Sequence, residues 1–267
     1  MARLGLVAGE GKLPIIFALA AREAGETVIA FGLKDVTDKE LERHVAKMHW
    51  LEWGGLQKGL FLLAMERLGK LVMLGKIRKD LFFRNEDKLD AKARQAVTSA
   101  SGKKDYAILT EVAKLFAKIG IEVVSPAGYL GKLIPQKGCL THRAPSAAEE
   151  ADIAYGRTVA QALAGYDIGQ TVVVKDKTVI AVEAAEGTDE TVRRAGTLSR
   201  IGFVAVKMAR PDQDMRFDIP LVGLDTVKAL ALAGGAAIAL EAEKTLLIER
   251  EEIVAFADEK NLSIVVI

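Results

Sequence analysis

The residues best suited to chemistry lie in one acid-rich segment of the C-terminal half, residues 212–225. Its charged members are Asp212, Asp214, Asp218 and Asp225, with Arg210 and Arg216 beside them. Carboxylate oxygens are the ligands that Mg²⁺ prefers, and the arginine fork matches phosphate oxygens. Because both kinds of side chain share one loop-rich stretch around Pro211 and Pro220, the segment predicts a site for a cation and a phosphate group.

A plainer interpretation of this segment is a set of acidic turns around prolines, in which Asp225 or Thr226 only caps a helix. That interpretation suffices for any single aspartate. The clustering of several acids after a predicted strand favours a site, but the spacing alone selects no reaction. No Ser-His-Asp or Cys-His arrangement in the sequence competes with the cluster.

A second polar segment, residues 183–189, runs from the end of a predicted strand into the start of a helix. Gly187 permits a turn there, and Thr188 or Asp189 can cap the helix that follows. Capping accounts for these residue types by itself. Their candidacy as ligand-binding residues therefore depends on the resemblance given below.

A glycine loop, Gly9-Glu10-Gly11-Lys12-Leu13-Pro14, separates the first predicted strand from the first helix. Glycines allow close approach of a ligand, and the free N–H groups of a helix N-terminus suit phosphate. Pro14 replaces the third glycine of the dinucleotide fingerprint, which disfavours NAD. A plain tight turn is the alternative. Gly75-Lys76 follows another strand, so the pair is expected in the same crevice.

The elements that position these residues alternate between β-branched runs and helical patterns. Predicted strands cover residues 4–8, 27–31, 48–51, 71–74, 122–125, 171–174, 178–183, 203–207, 236–240, 245–248 and 263–267. Predicted helices cover residues 14–24, 56–68, 90–99, 105–119, 147–164, 191–195, 225–233 and 251–260. This alternation predicts an α/β protein with a mostly parallel sheet covered by helices.

The composition divides the chain into two α/β domains. Residues 1–134 predict an N-terminal Rossmann-like, doubly wound domain, and residues 147–267 a second, smaller catalytic domain. The stretch 135–146, with Gly138 between Pro135 and Pro145, predicts a linker. Ser146, with Glu149 three residues later, indicates a capping box at the next helix.

Charge and cysteine content narrow the class of protein. The 267 residues include 37 basic and 36 acidic side chains, a balance that disfavours a nucleic-acid partner. A single cysteine, Cys139, cannot form an internal disulfide, and the three histidines lack metal-ligand spacing. We therefore expect a reducing, cytoplasmic compartment.

Neither a signal peptide nor a membrane span is expected. Glu10, Gly11 and Lys12 interrupt the apolar N-terminal stretch that a signal peptide would need. The longest apolar run, residues 229–240, is broken by Gly234-Gly235 and is shorter than the roughly 20 residues that span a bilayer.

Three motifs resemble those of one enzyme family. They are Gly-Leu-Val-Ala-Gly-Glu-Gly-Lys-Leu-Pro at residues 5–14, Glu-Gly-Thr-Asp at 186–189, and Pro-Asp-Gln-Asp-Met-Arg-Phe-Asp-Ile-Pro at 211–220, followed by Gly223 and Asp225-Thr226-Val227. With them, the sequence resembles the UDP-2,3-diacylglucosamine pyrophosphatases of lipid A synthesis, of the LpxI type. The resemblance covers essentially the whole chain in the right order, and the Gln-Asp-x-Arg-Phe-Asp-x-Pro run is its most specific part.

The resemblance implies that water attacks the α-phosphorus of UDP-2,3-diacylglucosamine and releases UMP and 2,3-diacylglucosamine 1-phosphate. It also implies Mg²⁺ dependence and an essential Asp225, as base, water-orienting group or metal ligand. The expected catalytic residues are Asp225, Asp214 and Arg216, and the expected metal ligands are Asp225, Asp214 and Asp218. The expected substrate-binding residues are Gly9, Gly11, Lys12, Gly75, Lys76, Gly187, Thr188, Asp189, Gln213 and Thr226.

The expected partner is therefore a lipid-linked UDP-sugar, whose acyl chains need an apolar surface. Candidates for that surface are Ile77, Leu81, Phe82 and Phe83, flanked by Arg78, Lys79 and Arg84, which suit anionic lipid headgroups. We expect peripheral contact with the cytoplasmic face of the inner membrane. A homodimer is expected from the general frequency of symmetric dimers.

The sequence is also compatible with two other functions. One is a UDP-sugar-dependent transferase that donates the sugar to an alcohol instead of water. The other is a non-catalytic nucleotide-binding regulatory protein built on the glycine loop.

Overall fold

Two β-sheets, each flanked by helices, account for the architecture. The computed structural model describes residues 2–77, 85–100, 105–166, 168–211, 213–217 and 219–267. One unit contains Met1–Gly131 and Asp214–Asp218, and the other contains Lys132–Gln213 and Ile219–Ile267. The predicted fold class, two α/β domains of which the first is doubly wound, is confirmed.

The first unit contains a five-stranded parallel sheet in the order β3-β2-β1-β4-β5. Its strands are β1 (Arg3–Ala8), β2 (Thr27–Leu33), β3 (Lys47–Leu51), β4 (Lys70–Leu74) and β5 (Glu122–Val123). The chain moves outward from β1 to β2 and β3, then returns to β4 on the other side of β1. The topological switch point, where ligands collect in such sheets, therefore lies between β1 and β4.

Helices cover both faces of this sheet. Those described are α1 (Leu13–Glu23), α2 (Leu56–Met65), α3 (Ala91–Ser99), α4 (Asp105–Lys118) and the short α5 (Ala127–Leu130). Pro14 lies in the first turn of α1, where its missing N–H costs nothing, and Phe17 is among the residues that α1 buries. On the other face, α2 and α4 contribute to an apolar cluster with Phe31 and Leu71. The central strands are apolar on both sides because both sides are covered.

The second unit contains a six-stranded mixed sheet in the order β6-β13-β11-β9-β7-β8. Its strands are β6 (Gly138–Cys139), β7 (Thr171–Lys175), β8 (Thr178–Val182), β9 (Phe203–Lys207), β11 (Gly235–Leu240) and β13 (Ser263–Val266). Strands β9, β11 and β13 are parallel, whereas β6, β7 and β8 join antiparallel. A separate two-stranded parallel sheet consists of β10 (Leu221–Val222) and β12 (Leu246–Leu247).

Alternate side chains of each strand point to opposite faces of the large sheet. One helix packs on one face and three helices pack on the other. The helices are α6 (Ala147–Gly165), α7 (Thr188–Ser199), α8 (Leu224–Leu232) and α9 (Arg250–Glu259). Val172 and Val174 of β7 pack in a cluster with Ile153 of α6, whereas Val173 packs with residues of α7, α8 and α9. Among the described helices, none is both long and apolar enough to cross a membrane.

The predicted elements match the structure closely, with differences at their ends. Helix α7 is longer than predicted, because Gly187 at φ 87° lets it begin at Thr188. In the range 135–146, predicted as a linker, β6 adds an edge strand to the second sheet and Thr141 accepts a hydrogen bond from Ile264 N at 3.0 Å. The capping box of Ser146 and Glu149 is confirmed.

One short segment from the C-terminal half belongs to the first unit. Within residues 214–217, Phe217 packs against the apolar cluster of that unit, and Ser125 Oγ lies 3.4 Å from the carbonyl oxygen of Met215. The sequence pattern did not indicate this return, because nothing in it distinguishes Phe217 from any other apolar residue of a turn. The acid-rich segment is consequently divided between the units.

A buried carboxylate, Glu66, ties together three elements of the first unit. Its Oε1 lies 2.6 Å from Lys47 Nζ and 2.7 Å from His49 Nε2, and its Oε2 lies 2.5 Å from an Arg3 guanidinium nitrogen. The hydrogen bond from Lys47, with those from His49 and Arg3, outweighs burial and lowers the pKa of Glu66 to about 2. Such a group stabilises the fold above its unfolded pKa, and this contribution is lost as the pH falls through the folded value.

We predict that Glu66→Gln lowers the free energy of unfolding at pH 7 by about 3 kcal/mol, the equivalent of this pKa shift. Urea unfolding at pH 7, 5, 4 and 3 should show the gap between variant and wild type narrowing as acid protonates Glu66. The control is Glu52→Gln, which removes an exposed ion pair with Lys34 and should leave stability unchanged. A pH-independent gap would contradict the assignment.

Candidate active site

Two loops meet at the switch point of the first sheet, one after β1 and one after β4. Gly9 N donates to the carbonyl of Leu74 at 2.7 Å, and Glu10 and Lys76 exchange backbone hydrogen bonds of 2.8 and 3.0 Å. A Cβ atom on Gly9 would lie 2.8 Å from the Lys76 carbonyl oxygen, and one on Gly75 would lie 2.7 Å from the Gly9 carbonyl carbon. The close backbone contact between the loops therefore requires glycine at both positions.

Gly11 differs from these two glycines because the space beside it is open. Its φ of 100° favours glycine, yet apart from Gly11 itself and its two chain neighbours, no described residue has an atom within 4 Å of where its Cβ would be. Lys12 is the N-cap of α1, and its side chain makes no capping hydrogen bond to the helix. The structure thus brings Gly9, Gly11, Lys12, Gly75 and Lys76 together at the positive end of α1, an arrangement that suits an anion.

Asp214 and Arg216 bind each other within the first unit. A terminal nitrogen of Arg216 lies 2.6 Å from Asp214 Oδ2, and its Nε lies 3.0 and 3.1 Å from the two oxygens. The Arg216 hydrogen bond lowers the pKa of Asp214, against an opposing effect of burial. The guanidinium also lies 4.9 Å from the centroid of the Phe217 ring. The pair therefore holds a turn together in this structure.

A buried polar cluster lies at the carboxyl end of β9 in the second unit. Lys207 Nζ donates to Thr188 Oγ1 at 2.8 Å, and Thr188 Oγ1 donates to Glu183 Oε1 at 2.9 Å. Lys207 Nζ is also 3.5 Å from Thr171 Oγ1 and 4.0 Å from Glu183 Oε2. Burial raises the pKa of Glu183, but the charge of Lys207 and several hydrogen bonds outweigh it, so the net pKa is lowered.

The N-termini of α7 and α8 are tied together next to this cluster. Thr226, in the first turn of α8, donates its hydroxyl to Asp189 Oδ1, in the first turn of α7, at 2.8 Å. The N-cap residues are Gly187 and Gly223, which have no side chain to cap the first N–H groups. Asp225 is exposed in the first turn of α8. Two positive helix ends and two carboxylates therefore share one region.

Gln213 closes the turn that follows β9. Its Oε1 accepts from Arg210 N at 3.0 Å and from Arg210 Nε at 3.2 Å, and the Gln170 side-chain amide lies 3.4 Å away. Each contact lies within the second unit. Its side-chain oxygen is thereby engaged in holding the turn.

The predicted site residues fall into two sets, one in each unit. The first unit holds Gly9, Gly11, Lys12, Gly75, Lys76, Asp214 and Arg216, and the second holds Gly187, Thr188, Asp189, Gln213, Asp225 and Thr226. Asp212, Asp218, Arg78, Lys79, Leu81, Phe82, Phe83 and Arg84 lie outside the described residues.

A metal cage made only of protein ligands is absent from the described parts of the chain. No group of three or more histidine, cysteine, aspartate or glutamate side chains is close enough there to hold an ion. Of the predicted metal ligands, Asp214 is paired with Arg216 in the first unit and Asp225 lies in the second.

Lys207 and Glu183 were not among the predicted site residues. Lys207 ends a strand whose five residues are all buried, and a charge at the carboxyl end of such a strand is a signal that sequence reading could have used. Glu183 had no equivalent signal, because its role follows from the pairing of β7 with β8 and β9.

Two solved structures have a weak likeness to the chain. The biotin carboxylase subunit of pyruvate carboxylase is 13% identical with a TM-score of 0.30, over 74% of this chain and 42% of that one. Glycinamide-RNase-transformylase T from Mycobacterium tuberculosis is 16% identical with a TM-score of 0.25, over 68% and 44%. The chain spans less than half of either protein, and likeness at this level carries no argument.

Sequence comparison is much stronger. The model of the LpxI N-terminal domain matches residues 3–133, and that of the LpxI C-terminal domain matches residues 136–265. The UDP-2,3-diacylglucosamine pyrophosphatase LpxI of Caulobacter vibrioides is 33% identical over 273 aligned residues, which cover 98% of this chain and 96% of that protein. Both family domains are thus present in order, and the chain belongs to the LpxI family.

Proposed function

We propose that the protein hydrolyses the pyrophosphate bond of UDP-2,3-diacylglucosamine, giving UMP and 2,3-diacylglucosamine 1-phosphate. Membership of the LpxI family and the name of the Caulobacter relative support this reaction. The structural observation that carries it is the pair of helix N-termini joined by Thr226 and Asp189, with Asp225 exposed beside them.

Paired helix N-termini suit a pyrophosphate for electrostatic reasons. Each end carries roughly half a positive charge, and its first N–H groups point outward without an intrahelical partner. Because Gly187 and Gly223 provide no capping side chain, these donors are suited to phosphate oxygens. We assign Asp225 the role of general base for the attacking water, since its carboxylate lies in the first turn of α8.

The switch-point crevice of the first unit is proposed to contact the nucleotide through its main-chain N–H groups. Its support is the open position beside Gly11 and the N-terminus of α1 at Lys12. Gly9 and Gly75 contribute by bringing the two loops together, and Lys76 by its charge.

Mg²⁺ belongs to the same proposal. This ion usually keeps several waters and is held by one or two carboxylates together with substrate phosphates. Asp189, on the first turn of α7, fits that pattern as the carboxylate, and the described residues form no cage that would bind the ion without substrate. When bound, the ion would neutralise charge on the pyrophosphate oxygens.

Two further parts of the proposal concern partners. The substrate's acyl chains would keep it in a bilayer, so the protein is proposed to work at the cytoplasmic surface of the inner membrane. A homodimer is proposed on the general frequency of such assemblies.

The reaction itself is tested with purified protein and UDP-2,3-diacylglucosamine in the absence of any acceptor alcohol. We predict release of UMP, and a fall of kcat by about 10²–10⁴ in Asp225→Asn, the usual contribution of a general base. The control is Glu150→Gln, which alters an exposed first-turn acid of α6 and should keep full activity. Turnover that requires an alcohol would indicate a transferase. Wild-type activity in Asp225→Asn would show that Asp225 is not the general base.

The metal requirement is a separate prediction. Activity should be lost in chelator and restored by millimolar Mg²⁺. The described residues form no cage of protein ligands, so the protein should hold the ion weakly and a chelator should remove it. Rates are measured over a Mg²⁺ titration after exhaustive chelation. Undiminished turnover in chelator would contradict it.

The position of attack is tested with heavy-oxygen water. Attack at the α-phosphorus breaks the bond to the bridging oxygen, so the label should appear in UMP and be absent from 2,3-diacylglucosamine 1-phosphate. Mass spectrometry of both products after a single turnover gives the answer. Label in the sugar phosphate would instead place the attack on the β-phosphorus.

A further inference from the structure

We propose that Lys207 is a catalytic residue that binds the pyrophosphate oxygens and stabilises the negative charge of the leaving phosphate. The inference rests on the proposed function and names a residue of the same site. It is carried by the geometry of the buried cluster formed by Lys207, Thr188, Glu183 and Thr171.

Lys207 is buried where a structural lysine would be costly. Its side chain is 8% exposed at the carboxyl end of β9, the edge at which the N-terminus of α7 lies. Taking an ammonium group out of water is costly unless it is paired and hydrogen-bonded. A full set of close partners would therefore be expected if packing were its only role.

The partners of Lys207 leave that set incomplete. Of its three N–H groups, one makes a short hydrogen bond, to Thr188 at 2.8 Å. Thr171 lies at the 3.5 Å limit, and Glu183 Oε2, at 4.0 Å, is beyond hydrogen-bonding distance. Among the described residues, Lys207 thus retains donor capacity for an oxyanion.

Thr188 orients the ammonium group of Lys207 and does not compete with it for a phosphate oxygen. Its hydroxyl accepts from Lys207 and donates its proton to Glu183 Oε1 at 2.9 Å. Because a hydroxyl has one proton, Thr188 has none to give a phosphate oxygen through its side chain. What Thr188 offers an anion is its backbone N–H at the start of α7, on the same side as Lys207.

Glu183 lies beside Lys207 without binding it closely. Its side chain is 13% exposed, and its Oε2 has no hydrogen-bond partner in the described structure. A buried carboxylate oxygen without a partner costs free energy, and such atoms call for an explanation beyond packing. At 4.0 Å the carboxylate is too far to occupy a hydrogen-bond donor of the ammonium group.

The chemistry of the proposed reaction needs a fixed positive charge of this kind. The water oxygen forms a bond to one phosphorus, the bond to the bridging oxygen breaks, and the leaving phosphate keeps that oxygen and the electron pair. The proton of the water passes to the general base. Lys207 transfers no proton; it stabilises the charge that develops on the leaving phosphate.

Lys207→Met alone would leave Glu183 charged and buried without its counter-ion, which can unfold a protein. The decisive variant is the double substitution Lys207→Met/Glu183→Gln, which removes both charges and keeps the side-chain volumes similar. We expect its stability to return close to the wild-type value, while kcat/KM stays lower by about 10²–10³, the effect of losing one oxyanion donor.

Binding gives a readout that a structural role would not change. Calorimetry with UDP and with uridine on the same double variant should show UDP binding weakened at least tenfold and uridine binding unchanged. The matched control is Arg143→Met/Glu149→Gln, which removes a half-buried pair near the amino ends of β11 and β13. It should lose stability and keep both kcat/KM and UDP affinity.

Two results would overturn the assignment. One is a folded Lys207→Met/Glu183→Gln variant with kcat/KM within threefold of wild type, and the other is unchanged UDP affinity in that variant. Failure of the proposed function looks different, because wild-type protein would then release no UMP from UDP-2,3-diacylglucosamine.

Discussion

A positive charge buried at the end of β9 is the constraint on which the site of the second unit depends. Lys207 needs partners because water does not solvate it, and those partners come from three other elements. Thr171 begins β7, Glu183 follows β8, and Thr188 begins α7. Meeting one electrostatic requirement therefore fixes the connection from β8 to α7. Through Asp189 and Thr226 it also fixes the start of α8.

Both units arrange polar groups at the carboxyl ends of parallel strands, but they do so by different means. In the first unit, backbone hydrogen bonds join the loops after β1 and β4, and Gly9 and Gly75 permit the contact. In the second, side chains make the connections, from Lys207 to Thr188 and from Thr226 to Asp189. The first arrangement offers main-chain donors in an open loop, and the second offers charged groups held in place.

Much of the fold was predictable because its signals are local. The apolar runs of β1, β7 and β9 and the capping box of Ser146 follow from period and residue type, and each is confirmed. The Lys207 cluster was not predictable in the same way, since it depends on strands paired across residues 171–207. Asp214 was identified from the sequence as a candidate site residue, but its ion pair with Arg216 is seen only in the structure. The roles of Asp225 and the predicted metal ligands stay predictions.

The return of residues 214–218 to the first unit has a consequence for modularity. The first family model ends at residue 133 and the second begins at residue 136, which would suggest that each half is an independent domain. Yet Phe217, which lies within the second model, packs against the apolar cluster of the first unit. In a chimaera joined at that boundary, the first unit of one relative would pack against residues 214–217 of the other. Exchange of the two halves should therefore preserve packing only if this short segment is taken from the same relative as the first unit.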